Sequence, residues 1–236
     1  MIISTPRRAL LRGSLSLGAA TLLSGCDISD SDAVQSALHA ISRWNDRVQA
    51  LLFNQHTLAR EYAASDVARE FRYNAYYPAQ DVVAIDPGRY RLGLSGLIAD
   101  KQAWTVPQLL ALPRKMQRTR HVCVEGWSYV GQWSGIPLGD FLRHVGADTH
   151  AKYVGFQCAD GYYEGIDMPT ALHPQTIMAV TAGDEILPAK FGFPLKIRIP
   201  TKLGFKNPKW VTAMYVTNTE PHGFWSDRGY NWFSGI

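Results

Sequence analysis

The sequence predicts a mixed α+β fold, and three observations carry that expectation. Strand-like segments at 90–96, 119–124, 152–158 and 211–217 are interspersed with helical patterns at 33–53 and 137–145. Glycine and proline punctuate the transitions: Gly96 closes one strand, Pro113 stops a short helix capped by Thr105, and Gly146 ends another. The chain has 236 residues, 46% hydrophobic and 19% charged, which is enough for one large core or two small ones and excludes general disorder.

The first 25 residues stand apart. Pro6-Arg7-Arg8-Ala9-Leu10-Leu11-Arg12 is a twin-arginine pattern, followed by an apolar run over 15–23 that is too short to span a bilayer. Leu23-Ser24-Gly25-Cys26 then resembles a bacterial lipobox, in which Cys26 becomes a lipid-modified mature N-terminus; the alternative is a chance cysteine at an ordinary cleavage site. The reading implies a signal peptide over 1–25 and a chain lipid-anchored on the periplasmic side of the inner membrane, where Asp27 favours retention. The formal charge of +4 then shrinks, because Arg7, Arg8 and Arg12 leave with the signal. The basic pI is largely a property of that segment and does not argue for nucleic acid.

Residues 26–70 read as a tether with N-terminal helices. Asp32 caps a helix over 33–53 whose Val34, Leu38, Ile41, Val48, Leu51 and Leu52 form an apolar stripe. The stripe suits packing on the domain or docking to a membrane partner. A second, more polar helix is expected over 58–68. Residues 71–236 form the remaining domain. Its basic run, 114–120, reads mostly as a solvated face.

Arg120-His121-Val122-Cys123-Val124-Glu125-Gly126-Trp127 ends a strand in a Gly-Trp break, with a further turn at Gly131. Cys123 is a soft donor near a carboxylate and two indoles, Trp127 and Trp133. Arg118, Arg120 and His121 precede it, and nearby positive charge favours the thiolate, the form that binds metal. The other reading is a small buried core residue. Glu125 suits either proton relay or an ion pair with Arg118 or Arg120.

Cys-Val-Glu-Gly-Trp followed by Trp133-Ser134-Gly135-Ile136-Pro137-Leu138 resembles the molybdenum-ligating segment of the sulfite oxidase superfamily, most of all the branch of the periplasmic methionine sulfoxide reductase catalytic subunit. The resemblance runs from about 71 to the end of the chain. It implies one molybdenum-molybdopterin cofactor per chain, with Cys123 as metal ligand and Asn74 and Glu125 as polar groups beside the metal. Tyr73-Asn74-Ala75-Tyr76-Tyr77-Pro78 is similar to a cofactor-contacting family segment, which carries over Asn74, Tyr77 and Pro78; an acidic residue of the reductase branch is replaced by Pro78, leaving a backbone contact. Read without the family, Asn74 among aromatics suggests an Asx-turn.

Cys158 aligns with a cofactor-contacting threonine, through its position and backbone; the alternative is plain burial. Lys196 stands where the family has an arginine, keeping the charge and losing the bidentate fork, and Phe191 replaces an asparagine or histidine. Thr201-Lys202-Leu203-Gly204-Phe205-Lys206-Asn207-Pro208-Lys209-Trp210 resembles the loop that holds the pterin phosphate, so Lys202, Lys206, Asn207, Pro208 and Lys209 are carried over as contacts. Lysines and open amides in a loop suit a phosphate, as they also suit a solvated basic turn. His173 precedes a proline turn and reads as a structural histidine, with ligand or base as the alternative.

The resemblance implies a sulfite-oxidase-type fold lacking the C-terminal immunoglobulin-like dimerisation domain, and a monomer. It implies oxygen-atom transfer with molybdenum cycling between +6 and +4, most simply reduction of a small-molecule S-oxide or N-oxide, with sulfite-type oxidation as the alternative. Twin-arginine export of a folded protein agrees with a cofactor inserted before export. No Cys-x-x-Cys-His occurs, so no c-type haem is expected, and an external electron partner is required: a membrane b-type cytochrome for reduction, a soluble cytochrome c for oxidation. With Cys26 lipidated and Cys123 on metal, no structural disulfide is expected. The rival class is a non-catalytic lipoprotein module keeping the old fold, suggested by Phe191 and Lys196.

Overall fold

A computed structural model of the chain describes residues 31–236; the expected signal segment and Cys26 lie outside them. The chain divides into two units, Met1–Arg47 and Val48–Ile236. Their boundary falls inside the first helix, α1 (Asp32–Leu52). Ser31 rather than Asp32 caps it, its Oγ accepting the Val34 N–H at 3.4 Å. No residue of α1 is buried, and Leu38, Ile41, Leu51 and Leu52 of its apolar stripe are exposed. No helix among the described residues is long and apolar enough to cross a membrane.

The second unit begins well before residue 71. The helix expected over 58–68 does not form. Glu61 bridges to Thr119, the Tyr62 N–H donates to the Arg118 carbonyl at 3.0 Å, and only Ala64–Asp66 make a 3₁₀ turn. The physical reason is the neighbouring strand edge, whose unpaired carbonyls outcompete a polar helix with no apolar face to bury.

That edge belongs to β2 (Lys115–Val122), so most of the basic run is strand. Its burial alternates from Met116 on: Gln117, Thr119 and His121 face inward while Met116 and Arg120 face out. β2 pairs antiparallel with β3 (Ser128–Pro137), from Lys115↔Gly135 to Val122↔Ser128. Gly131 lies within β3 and makes no turn. β3 pairs in turn with β6 (Ile177–Ala182), with a bulge at Ser134/Gly135. Gly135 is required there, because a Cβ would stand 2.2 Å from the Met178 carbonyl oxygen. The far edge of β6 is shared by β7 (Glu185–Ile186) and β8 (Lys196–Arg198).

The second sheet has the order β1 (Gly93–Gly96), β9 (Val211–Thr217), β4 (Tyr153–Cys158), β5 (Tyr163–Asp167), with β1 parallel to β9 and the other pairs antiparallel. Three short helices complete the unit: α2 (Val106–Ala111), α3 (Leu138–His144) and α4 (Met168–Ala171). Thr105 caps α2 through a capping box with Gln108. α3 buries Leu138, Phe141 and Leu142 in the main core beside Val154, Ile197 and Met214. A smaller cluster centres on Trp133 and Phe191, with Phe71 and Tyr129 packed against it. The residue that departs from the family pattern at 191 is thus a core aromatic, its ring tilted against Phe71 with centroids 5.8 Å apart.

Candidate cofactor site

Two hairpin turns of the same design face one cavity. Beyond β2 the chain reads Cys123-Val124-Glu125-Gly126-Trp127, and beyond β4 it reads Cys158-Ala159-Asp160-Gly161-Tyr162. Each cysteine N–H donates to the carbonyl of the aromatic four residues on, at 2.9 Å in both turns. Each cysteine carbonyl accepts the glycine N–H at 3.1 Å. Both glycines hold positive φ, +88° at Gly126 and +81° at Gly161, where a side chain would be strained. The cavity, about 360 Å³, is lined by Cys123 and Glu125 from one turn and Asp160 and Tyr162 from the other, with Asn74 and Lys209.

Cys123 is buried, and burial raises its thiol pKa. The backbone N–H groups of Glu125 and Val124 and the charge of Arg72 oppose this, while the Glu125 carboxylate adds to it. The basic groups expected to favour the thiolate are committed elsewhere. Arg118 donates to Gln132 Oε1 at 2.7 Å and Arg120 to the Tyr62 hydroxyl at 3.1 Å. His121 is buried with its pKa driven well down, first by burial and then by Arg198, so it stays neutral. The Glu125 ion pair does not form either: Oε2 accepts the Trp127 indole N–H at 2.6 Å. Asn74 makes its side-chain contact with His121 Nε2 at 3.3 Å rather than closing an Asx-turn.

The loop between β8 and β9 presses on the end of β2. A Cβ at Gly204 would meet His121 Nε2 at 2.6 Å, so only glycine lets the loop sit there. Asn207 organises the loop from within: Oδ1 accepts from Arg198 Nη1 (2.9 Å) and the Ile199 N–H (2.7 Å), and Nδ2 donates to the Leu203 carbonyl (3.0 Å). Pro208 lines the cavity and accepts the Ile197 N–H at 2.9 Å. Lys209 Nζ donates to the Asn74 carbonyl and lies 4.4 Å from the Trp210 ring.

The carried-over lysines separate into two kinds. Lys206 is buried and closed by an ion pair with Glu164 at 2.5 Å and a bond to the Gly165 carbonyl at 2.6 Å. Lys202 is buried against Phe233 and Phe53. Neither lines the cavity. Lys196 and Lys209, with Arg198, form a cluster of cations that makes no ion pair among the described residues. Burial lowers the pKa of all three: Lys196 well down, Lys209 to about 8 and Arg198 to about 10, with mutual repulsion depressing Lys196 further. Arg198 Nε is buried without a partner. Arg198 was not singled out from the sequence; the period of two in β8, which puts it on the side of Lys196, was the available signal. Asp160 was missed as well, although its turn repeats the pattern of the Cys123 turn.

Other carried-over residues sit around this centre. The Tyr77 hydroxyl donates to Asp160 Oδ2 at 3.0 Å, and Pro78 is exposed, its carbonyl taken by the Asp81 N–H. Cys158 is a buried free thiol whose pKa is raised well above the ordinary value by burial. His173 is buried in structural bonds, to the Thr57 carbonyl and from the Gln175 N–H.

The residues fit an anionic organic cofactor that brings most of its own metal ligands. They offer one sulfur donor at the cavity wall and uncompensated positive charge behind it, which is costly unless an anion binds. A family model, the oxidoreductase molybdopterin binding domain, matches residues 79–225. The chain belongs to this family and is a molybdopterin-dependent oxidoreductase. Among its relatives is an Azospira oryzae chain provisionally named protein-methionine-sulfoxide reductase subunit YedZ1, 55% identical over 97% of this chain and 87% of its own. Two chains named protein-methionine-sulfoxide reductase catalytic subunit MsrP also match. That of Burkholderia mallei is 27% identical over 70% of this chain, and that of Gluconobacter oxydans 31% over 65%; the match spans 58% of the length of each. The sulfane dehydrogenase SoxCD of Paracoccus pantotrophus has a similar fold, with a TM-score of 0.55 at 19% identity over 59% of this chain and 41% of its own.

Proposed function

We propose that this chain reduces S-oxides, with the oxidised methionine side chain as substrate class. The observation that carries the reading is a single cysteine in the wall of a cavity that Lys209 also lines, with Lys196 and Arg198 buried beside Lys209 and no ion pair made by any of the three among the described residues. The names of the relatives supply the direction and the substrate. When bound, the molybdopterin cofactor supplies oxygen-atom transfer. Cys123 would hold its metal, and Lys196, Arg198 and Lys209 would neutralise its anionic part. Net reduction of a sulfoxide to a thioether takes two electrons and two protons and releases water. Glu125, with Oε2 fixed by Trp127, leaves Oε1 to hold one of those protons at the cavity wall.

The electrons come from an external donor, and a membrane b-type cytochrome suits the reductive direction better than cytochrome c. The chain works on the periplasmic side of the inner membrane, exported by the Arg7-Arg8 signal and tethered through Cys26. These last points rest on sequence motifs alone. The test is turnover of N-acetyl-methionine sulfoxide with a reduced dye by molybdenum-loaded protein. Consumption of dye that disappears in Cys123→Ala is expected; a fully loaded chain that leaves S-oxides untouched would overturn the reading.

A further inference from the structure

The mouth of the cavity is walled by aromatic rings. Tyr76, Val124 and Tyr230 are 45%, 45% and 41% exposed, so apolar surface is presented to solvent at the opening instead of being spent in the core. Trp225 stands beside them, half-buried and packed against the main core, which makes it a rigid wall. Its carbonyl accepts the N–H groups of Arg228 at 3.0 Å and Tyr230 at 3.1 Å. This closes the segment and sets the two rings 5.3 Å apart. Tyr76 stacks on Phe224 at 4.8 Å, with Arg228 behind that ring. The wall is built before any ligand arrives, so little ordering remains to oppose binding.

The charged residues lining the cavity are two acids and one ammonium. Glu125 and Asp160, one from each hairpin turn, are the acids lining the cavity. Lys209 lines it too but is tied to the Asn74 carbonyl, and Lys196 and Arg198 do not reach the lining. With two carboxylates against one ammonium, the lining is net negative and disfavours an incoming oxyanion. An uncharged sulfoxide meets no such barrier, and its alkyl groups and soft sulfur suit ring faces and edges.

We infer that Tyr76, Trp225 and Tyr230 form a specificity subsite for the apolar arms of an uncharged S-oxide, and that Glu125 and Asp160 exclude oxyanions such as sulfite. This rests on the S-oxide reading above and adds the residues that choose the substrate.

The test is calorimetric binding, without any electron donor, of the uncharged N-acetyl-methionine-sulfoxide methylamide to molybdenum-loaded protein. Wild type binds it; Trp225→Ala and Tyr230→Ala each weaken binding about tenfold, a loss of about 1.4 kcal/mol. Tyr230→Phe stays near wild type, molybdenum content is unchanged in all variants, and sulfate does not compete. Tyr230 is surface-exposed, so its truncation reports even if Trp225→Ala folds poorly. No binding by loaded wild type, equal binding by the alanine variants, or effective competition by sulfate would overturn the inference. Ring-dependent binding without turnover would instead uphold it and overturn the reductase reading.

Discussion

Lys202 and Lys206 on one side, and Lys196 and Lys209 on the other, come from one stretch of chain and meet opposite fates. Lys206 is neutralised inside the protein by Glu164, and Lys202 is enclosed by aromatic rings. Lys196 and Lys209 are buried beside Arg198 with no ion-pair partner among the described residues. A fold does not concentrate buried positive charge without something to balance it. We propose that the first pair serves the stability of the loop and the second a bound anion. Burial alone, which all four share, does not tell them apart; the partner does.

The largest expected effect breaks the first pair. Lys206→Met strips the buried Glu164 of its ion-pair partner, which costs roughly 3–5 kcal/mol. A urea midpoint that falls accordingly, and recovers in large part on adding Glu164→Gln, checks this. Lys196→Met should act in the opposite direction on the cofactor-free chain. Removing an unbalanced ammonium in favour of a side chain of similar volume raises its stability by about 1–3 kcal/mol, while pterin content of the protein purified from a cofactor-making host falls. A midpoint that drops in both variants would erase the distinction.

The pH dependence of Lys209 sharpens it further. Burial holds its pKa near 8 in the folded chain, below the unfolded value. Below that pH the folded cofactor-free chain carries an ammonium it disfavours. As pH rises through about 8 the proton leaves and stability rises, because the unfolded state now binds more protons. The advantage of Lys209→Met over wild type in Tm should therefore be greatest near about pH 7 and shrink by about pH 9. The smallest effect on stability is expected for Glu125→Gln, an exposed side chain, within about 0.5 kcal/mol of wild type. Its signature lies in a slower, pH-shifted turnover at unchanged molybdenum content.

Much of this was legible in the chain. The strands at 152–158 and 211–217, the helix capped by Thr105 and the Cys123 turn follow from local patterning, and the family follows from contiguous motifs. The helix expected over 58–68 failed because strand pairing to β2 is a long-range event that a polar periodicity cannot report. The Glu125 ion pair failed because Arg118 and Arg120 found Gln132 and Tyr62, partners distant in sequence. The division of the lysines was illegible for the same reason: Glu164 lies 42 residues from Lys206. Asp160 could have been found, since Cys158-Ala159-Asp160-Gly161-Tyr162 repeats the chemistry of the Cys123 turn position by position.

The most direct test of the central claim is molybdenum and pterin content per chain, measured on purified wild type beside Cys123→Ala, from a host that makes the cofactor. Near-stoichiometric metal in wild type, lost in a variant that remains folded, is the predicted result. Wild type without metal, or a variant that keeps it, would contradict the assignment of this cavity and of Cys123.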